Sequence, residues 1–242
     1  MDFLQIMTLA EKYLHLINPT SVEKILRVGE HLQLQRGDRL LDFGCGFAEP
    51  LVLWAKEFEF SAVGLEFREE TCSRAKERIE GAGLSDRIEV ICTNAADYPY
   101  EAKAFDVATC LGASFIWGGV EPALKALSNV IHEKGRIAIG EPYWKTDPPL
   151  VDLGFSVHSE HELLEIIHER GLVLRYIVRS SEDDWDQYET GNWYALTEWL
   201  RENPDHPERE DVRTHLRKAQ DEYTQFTRAH LGWAIYLLEH ER

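Results

Sequence analysis

The sequence predicts an α/β fold built on a mainly parallel sheet. Short apolar runs of strand length alternate with helical patterns along most of the 242 residues, and such alternation leads to parallel strands joined by right-handed crossovers. The segment at residues 40–50 (LLDFGCGFAEP) is the second observation: an apolar run ends in an acidic residue and two glycines, and a helical pattern follows at once. Parallel strands deliver ligands in this way onto a tight turn at the start of a helix.

The predicted elements follow one another in a regular order. Apolar runs predict strands at residues 39–43, 61–66, 105–111, 136–140 and 172–178, and a third strand that begins at Arg87. Two helices precede the sheet. The first carries Ile6, Ala10, Tyr13 and Ile17 at helical spacing and is expected to stop before Asn18-Pro19. The second opens with a capping-box pattern, Thr20-Ser21-Val22-Glu23.

The spacing of small residues in the glycine turn bears on its ligand. A dinucleotide-binding GxGxxG turn would need a glycine where Glu49 stands, and this carboxylate would face a pyrophosphate at the helix N-terminus. The spacing GxGxG instead places small residues at Gly44, Gly46 and Ala48. It suits S-adenosylmethionine, which has no phosphate and carries a sulfonium cation that carboxylates offset. For Glu49, contact with the cofactor's amino group and exposure to solvent are both open. A turn without a ligand is the alternative for this segment taken alone.

Polar residues end the next strands, where a ligand on the turn would meet them. Glu66 follows Gly46 by twenty positions and is placed to hydrogen-bond a ribose diol. Asn94, or Asp97 one turn later, is placed to recognise an adenine amino group. The fourth strand opens into residues 112–114 (GAS). Because these features occur in order at successive strand ends, they favour a bound ligand over a ligand-free sheet.

Residues 37–140 resemble the class I S-adenosylmethionine-dependent methyltransferases, whose motifs they match in order and without large gaps. Further segments are similar to a group of bacterial methyltransferases with a GEPYW segment after strand five: residues 110–119 (CLGASFIWGG), 140–144 (GEPYW), 185–189 (WDQYE) and 199–204 (WLRENP). The likeness covers nearly the whole chain.

This resemblance implies a Rossmann-like sheet of seven strands with a reversed last strand, and S-adenosyl-L-methionine as the cofactor. It implies cofactor contacts at Asp42, Gly44, Gly46 and Glu66. We expect neighbouring positions to contribute to the same site: Cys45, Phe67, Asn94, Ala95 and Leu111. Two positions depart from the family pattern. Ala48 replaces a third glycine, and Asn94 stands where many relatives carry aspartate, so adenine recognition would rest on an amide oxygen.

A helical insertion is expected before the last strand, which should span residues 231–238. The long stretch between strands six and seven holds two helical patterns, 185–200 and 208–226, separated by Asn203-Pro204. We expect these helices to form a lid. The predicted organisation is an N-terminal helical cover (1–36), a methyltransferase core (37–180), the lid insertion (181–229) and the last core strand (230–242).

Composition indicates which classes of binding partner and which cellular compartment to expect. The formal net charge of −17 at pH 7 argues against nucleic acid or an anionic membrane as a partner, because phosphate groups reward clustered lysine and arginine. The four cysteines show no CxxC spacing and are expected to be free thiols in a reducing compartment. No apolar stretch approaches the length of a membrane span. We therefore expect a cytoplasmic protein; its oligomeric state is left open.

Glu141 is the first candidate for a general base. A carboxylate at a strand tip, enclosed by Tyr143 and Trp144, would have its pKa raised by desolvation; pairing with an arginine or capping a turn is the alternative. His15 is the second candidate because imidazole titrates near neutral pH, although an ordinary surface role is the alternative. A base is needed only if the acceptor must lose a proton. No histidine pair lies near a cysteine or carboxylate cluster, so no metal site is predicted.

The predicted activity is methyl transfer to an unidentified small molecule beneath the lid. Aromatic residues could form a cage over a cationic acceptor or the sulfonium, and core packing is their alternative role: Trp117, Trp144, Trp185, Tyr188 and Trp193, with Tyr143 as a further substrate contact. A non-catalytic sensor that binds S-adenosylmethionine or S-adenosylhomocysteine is the alternative from another class. A nicotinamide oxidoreductase is disfavoured by Glu49.

Overall fold

Eight strands form a single sheet within the residues that the computed structural model describes, 1–146 and 156–241. They are β1 (Arg39–Phe43), β2 (Ser61–Glu66), β3 (Ile88–Cys92), β4 (Phe105–Leu111), β5 (Ile131–Trp144), β6 (His158–Ser159), β7 (Leu172–Arg179) and β8 (Leu231–His240). The seven strands expected from the sequence are all present. β5 extends beyond both ends of its predicted range, and the two-residue β6 was not predicted.

Helices connect and cover the strands. The α-helices in the described residues are α1 (Phe3–Ala10), α2 (Val22–His31), α3 (Glu49–Glu57), α4 (Glu69–Gly81), α5 (Val120–Val130), α6 (Glu160–Glu169), α7 (Glu182–Glu202), α8 (Arg209–Glu222) and α9 (Arg228–His230). Short 3₁₀ turns span Glu11–Tyr13 and Ser114–Trp117, and a π-helix spans Tyr223–Thr227. None of these described helices is both long enough and apolar enough to cross a membrane.

The strand order places a ligand crevice next to the glycine turn. The order is β3-β2-β1-β4-β5-β8-β7, and β6 pairs with the end of β5. β8 runs antiparallel to both β5 and β7, which confirms the predicted reversed last strand. The chain changes direction across the sheet between β1 and β4, and such a switch opens a crevice at the carboxyl ends of parallel strands.

Two apolar cores lie on the two faces of this sheet. Alternate residues of β1 divide between them: Leu40 packs with α2, α3 and α4, whereas Leu41 and Phe43 pack with α5 and α6. The first core is fastened by Trp54 of α3, a fully buried residue whose indole N–H donates to the Ile25 carbonyl at 2.6 Å. Both sides of β1 are thereby fixed before the chain enters the glycine turn.

The N-terminal segment differs from its prediction. α1 ends at Ala10, and the chain continues only as a 3₁₀ turn before Leu14 becomes extended at φ −74° and ψ 147°. A helix reaching Ile17 is therefore wrong. Ser21, not Thr20, caps α2, and its side chain accepts the Lys24 backbone N–H at 3.4 Å. The predicted capping box is also wrong, because Lys24 and not a glutamate occupies the third helical position.

The insertion between β7 and β8 is helical, as predicted. α7 and α8 occupy it, and α7 begins with a capping box in which the Ser181 side chain accepts the Asp184 backbone N–H. Asp184 also forms an ion pair with Lys24 of α2. Leu196 of α7 and Val212 of α8 pack with α1 in a third apolar cluster. The insertion thus packs against the N-terminal elements.

The expectation of four free thiols is wrong. The structure joins Cys72 of α4 to Cys92 of β3 by a disulfide, with Cα atoms 5.9 Å apart, whereas Cys45 and Cys110 are free and buried. The pairing follows from topology, because Cys92 lies opposite Glu66 in the β2–β3 register and α4 begins shortly after Glu66. Linear spacing carries no signal for such a contact.

Gly140 of β5 is predicted to be intolerant of a methyl group. A Cβ there would lie 2.5 Å from Cζ2 of Trp233 and 3.2 Å from the Leu111 backbone. We expect Gly140→Ala to lower the free energy of unfolding by about 1–3 kcal/mol through overpacking, measured by urea denaturation. Gly81→Ala is the matched control: its Cβ would meet nothing within 4 Å, so stability should hold or rise by up to about 1 kcal/mol. Equal changes in the free energy of unfolding for the two substitutions would contradict the prediction that Gly140 is overpacked by a methyl group.

Candidate active site

The turn between β1 and α3 uses backbone that favours glycine. Gly44, Gly46 and Ala48 have φ values of +74°, +54° and +56°, in the left-handed region where a Cβ is costly. A Cβ on Gly44 would lie 2.5 Å from the Cβ of Ala113, and one on Gly46 would lie 2.9 Å from Cδ1 of Ile17. Gly44 is therefore required by torsion and by close approach, whereas Gly46 is favoured by torsion, because the end of the Ile17 side chain can shift.

Glu66 at the end of β2 is bonded directly to this turn. The residue is 5% exposed, and its Oε2 accepts the Gly46 N–H at 3.2 Å. Its Oε1 accepts the backbone N–H groups of Phe67 at 3.1 Å and Arg68 at 3.0 Å. The Arg68 guanidinium also forms ion pairs with Glu66 at 3.4 Å and with Glu11 at 2.7 Å. Because Oε2 retains a lone pair, Glu66 shapes the turn and still presents an acceptor beside it.

Asp42 provides a second acidic group at the end of β1. It is buried, and the Thr109 hydroxyl donates to its Oδ1 at 2.6 Å. Burial raises the pKa of Asp42 to about 7; the Thr109 bond opposes this shift and the charge of Glu66 adds to it. A cation bound nearby would favour the ionised form of this carboxyl. The end of β1 is thus suited to a positively charged group.

The loop after β3 brings the two adenine candidates together. Asn94 Nδ2 donates to Asp97 Oδ2 at 3.0 Å, and Asn94 Oδ1 accepts the Ala96 N–H at 3.1 Å. Ala95 between them is 3% exposed, whereas Phe67 on the neighbouring β2 loop is 46% exposed. Asn94 and Asp97 are therefore a hydrogen-bonded pair, and adenine recognition by either one stays a prediction.

Glu49 forms an ion pair with Arg78 of α4. The arginine offsets the carboxylate charge, so the electrostatic argument against a pyrophosphate at this turn loses its force. Free exposure of Glu49 to solvent is therefore wrong, because its partner comes from a helix that sequence spacing does not connect to it. Contact of Glu49 with the cofactor's amino group stays a prediction.

Glu141 of β5 is a buried carboxyl with one unbonded oxygen. The residue is 7% exposed, and its Oε2 accepts the Ser114 hydroxyl at 3.0 Å. Oε1 has no hydrogen-bond partner among the described residues. Burial raises the pKa of Glu141 to about 7, and the Ser114 bond opposes the shift. In the register of β4 and β5, Gly140 lies opposite Leu111, which places Glu141 next to the carboxyl end of β4.

The N-terminal segment lies across the glycine turn and the end of β4. Ile17 approaches Gly46 closely enough to contact any Cβ placed there. Asn18 donates through Nδ2 to the Leu111 carbonyl at 3.4 Å, and its buried Oδ1 has no partner within the described residues. This segment is therefore part of the site, although sequence reasoning used Asn18-Pro19 only as a helix stop.

Two arginines of α4 fasten this segment through its backbone. Arg74 donates to the carbonyls of Glu11 at 3.3 Å and Leu14 at 2.8 Å. Arg78 donates to the carbonyl of His15 at 3.2 Å. The His15 side chain is exposed. Sequence reasoning missed these anchors, and a basic residue recurring on one face of the helix after β2 was the available signal.

The aromatic candidates lie on several elements, and their role as a cage stays a prediction. Trp117 packs edge-on against Phe43 with ring centroids 5.1 Å apart, and Trp144 packs against Phe226 at 6.1 Å. Trp185 donates to Glu189 at 3.4 Å. The Tyr143 ring packs on Gly232 of β8. The backbone carbonyl of Tyr188 accepts a hydrogen bond from Asn192 Nδ2. Trp193 packs edge-on against Tyr223 with ring centroids 5.8 Å apart. Within the described residues, no ring contact joins any two of the five predicted cage members.

The part of the chain that the structure describes contains no group of three or more histidine, cysteine, aspartate or glutamate side chains able to hold a metal ion.

Comparison with known proteins identifies the family. The methyltransferase domain family matches residues 40–135. The protein YjhP of Escherichia coli (strain K12) is 31% identical over 98% of this chain and 99% of its own. An S-adenosylmethionine-dependent methyltransferase from Geobacter sulfurreducens, solved with S-adenosylhomocysteine, has a TM-score of 0.92 and 32% identity over 99% of each chain. Its counterpart from Thiobacillus denitrificans, also solved with S-adenosylhomocysteine, has a TM-score of 0.91 and 30% identity over 100% of each chain.

The likenesses to YjhP and to the two solved structures extend over at least 98% of this chain. S-adenosylhomocysteine is what remains of S-adenosylmethionine after methyl transfer, so the cofactor of this fold and turn is S-adenosylmethionine. The protein is an enzyme, and it belongs to the class I S-adenosylmethionine-dependent methyltransferases.

Proposed function

We propose that S-adenosylmethionine is held at the β1–α3 turn by residues from four strand ends. The turn itself supports this fit, because Gly44 and Gly46 leave no Cβ between the backbone and an approaching molecule. Glu66 offers an acceptor lone pair to ribose hydroxyls, and Asp42 adds an acidic group near the cation. The assigned positions are Asp42, Gly44, Cys45, Gly46, Glu66, Phe67, Asn94, Ala95 and Leu111.

The proposed methyl acceptor is a small molecule enclosed between the strand ends and an N-terminal cover. The cover comprises the backbone from Glu11 to Asn18, and α7 supports it from outside. Leu14 lies against Gly191 of α7, and Lys24 pairs with Asp184 at the start of the same helix. Because Ile17 lies on Gly46, the cover would move outward when cofactor enters or leaves. A macromolecular acceptor would have to displace all of these contacts.

Glu141 is the proposed general base. The observation that carries this assignment is a buried carboxyl with one oxygen held by Ser114 and the other unbonded. The bound cofactor supplies an electrophilic methyl group. Glu141 Oε1 would take the proton that an O–H or N–H acceptor releases, and a pKa of about 7 allows it to hold and release that proton near neutral pH. His15 is exposed on the cover, so we assign the base to Glu141 and not to His15.

Removing the backbone freedom at Gly44 should abolish cofactor binding. We expect a hundredfold excess of S-adenosylhomocysteine over its Kd to stabilise the wild type by ~2.7 kcal/mol, or roughly 5–10 °C in Tm. Gly44→Ala should show no such shift, because its Cβ would lie 2.5 Å from Ala113 at a φ of +74°. Differential scanning calorimetry with and without ligand measures both.

Gly83→Ala is the matched control for backbone strain. Gly83 has a φ of +69°, but an added methyl group would meet nothing within 4 Å, so this variant should lose stability and keep the ligand shift. A full shift in Gly44→Ala would contradict the assigned cofactor site.

The raised pKa of Glu141 should appear in the pH dependence of stability. The pKa of Glu141 is raised from its usual 4.5 to about 7 in the folded protein. Between these two pH values, Glu141 keeps a proton that it releases in the unfolded chain. The free energy of unfolding should therefore fall as pH rises through this window, by up to about 3 kcal/mol for this residue. Glu141→Gln should flatten the dependence, measured by urea unfolding between pH 4.5 and 7.5. Asp42 contributes in the same direction and remains in the variant.

The same variant tests catalysis. With a panel of small phenols and amines, wild-type turnover should rise with pH through about 7, as Glu141 becomes ionised. Glu141→Gln should lower turnover by about 10²–10⁴ and remove this rise, while S-adenosylhomocysteine still binds. The exposed Glu101→Gln is the control for loss of one negative charge. Unchanged turnover and pH profile in Glu141→Gln would refute the assignment of the base.

A further inference from the structure

A cavity of about 190 Å³ lies between α1, α7, α8 and the π-helix. Its apolar wall includes Met7 and Ala10 of α1 and Leu196 of α7. The described residues that line it include none from the glycine turn or from the ends of β2 to β5. This cavity is therefore separate from the site proposed for methyl transfer.

Two buried polar groups in the lining have unmet hydrogen bonds. Asn192 is 8% exposed; its Nδ2 donates to the Tyr188 carbonyl at 3.1 Å, but its Oδ1 has no partner among the described residues. The buried indole N–H of Trp193 also has no partner there. Leaving a buried polar group unpaired costs about 1–3 kcal/mol. A ligand with a donor for Asn192 would recover part of that cost.

The charges around the cavity favour a cation. Glu189 and Glu222 both line it, and the described lining contains no lysine or arginine. Lys218, outside the lining, forms an ion pair with Glu222 at 3.5 Å, so Glu189 is the carboxyl that would meet a cation. Burial raises the pKa of Glu189, the Trp185 bond opposes the shift and Glu222 adds to it. Burial lowers the pKa of His215, the remaining titratable side chain of basic type in the lining, and Lys218 adds to this effect. His215 therefore tends to be neutral and does not oppose a positive ligand.

The shape and size point to a compact ligand. An apolar cavity of ~150 Å³ in a protein core accommodates benzene, so this cavity of about 190 Å³ has room for one ring and a short polar arm. Tyr223 and Thr227 of the π-helix line one wall, and π-helical turns frequently occur at functional sites. Glu222 is exposed and marks the side from which a ligand can enter.

We propose that this cavity is a second ligand site, which binds a protonated amine carried on an apolar body of about one aromatic ring. The ammonium group would donate to Asn192 Oδ1 and to Glu189, and the ring would lie against Met7, Ala10 and Leu196. The Trp193 N–H would face the ring or an oxygen on it. Because the lining joins α1 to α7 and α8, occupancy would tie the N-terminal helix to the insertion. The proposal does not depend on the identity of the methyl acceptor.

Calorimetric titration with benzylamine tests this site in the full-length protein. We expect saturable binding of one benzylamine per chain, at least tenfold weaker binding of the neutral benzyl alcohol, and no binding of benzoate. Asn192→Leu and Glu189→Gln should each weaken benzylamine binding about tenfold or more, as expected for loss of a charge-assisted hydrogen bond. Both variants should keep the Tm shift with S-adenosylhomocysteine, which reports the cofactor site separately.

Asn203→Leu is the matched control. Asn203 makes the same bond to the carbonyl four residues earlier, at 2.9 Å, but lies outside the described lining, so benzylamine binding should persist. The proposal is overturned if benzylamine does not bind, if benzoate binds equally well, or if binding survives both Asn192→Leu and Glu189→Gln. If Asn192→Leu fails to fold, Glu189→Gln alone decides the outcome.

Discussion

The end of β2 determines the geometry of the glycine turn on which the site depends. The Leu65 carbonyl accepts the N–H groups of both Gly44 and Cys45, each at 2.9 Å, and the Glu66 carboxylate accepts the N–H of Gly46. Three successive backbone donors are thus fixed by two residues of the neighbouring strand. These bonds stabilise left-handed torsions that favour glycine. Because the protein itself makes these bonds, the turn needs little further ordering to hold a ligand, and little conformational entropy is lost there.

Local patterns predict most of the sheet and the strand-end residues. β1, β2 and β4 have the bounds that their apolar runs indicate, and α7 and α8 occupy the expected insertion. These elements are specified by nearby residues, because strand and helix periodicities are short-range properties. The positions of Glu66 and Glu141 are predictable for a related reason, since strand order alone brings the carboxyl ends of parallel strands to one edge.

Contacts between distant segments could not be predicted in this way. The pairing of Cys72 with Cys92, the ion pair of Glu49 with Arg78 and the end of α1 at Ala10 depend on how separate elements pack. The aromatic residues show the same limit. Helical spacing places Trp185 and Tyr188 on one face, but spacing does not indicate which neighbour that face will meet. Burial of an unpaired polar atom, as at Asn192, is likewise visible only in three dimensions.

The arginines of α4 donate hydrogen bonds to the N-terminal cover, at the carbonyl oxygens of Glu11, Leu14 and His15. Main-chain oxygens are the same whatever side chain a residue carries. The bonds from Arg74 and Arg78 therefore do not depend on which side chains occupy these three positions, whereas the Glu11 carboxylate makes a separate ion pair with Arg68. A substitution at His15, whose side chain is exposed, would leave the backbone attachment to α4 intact.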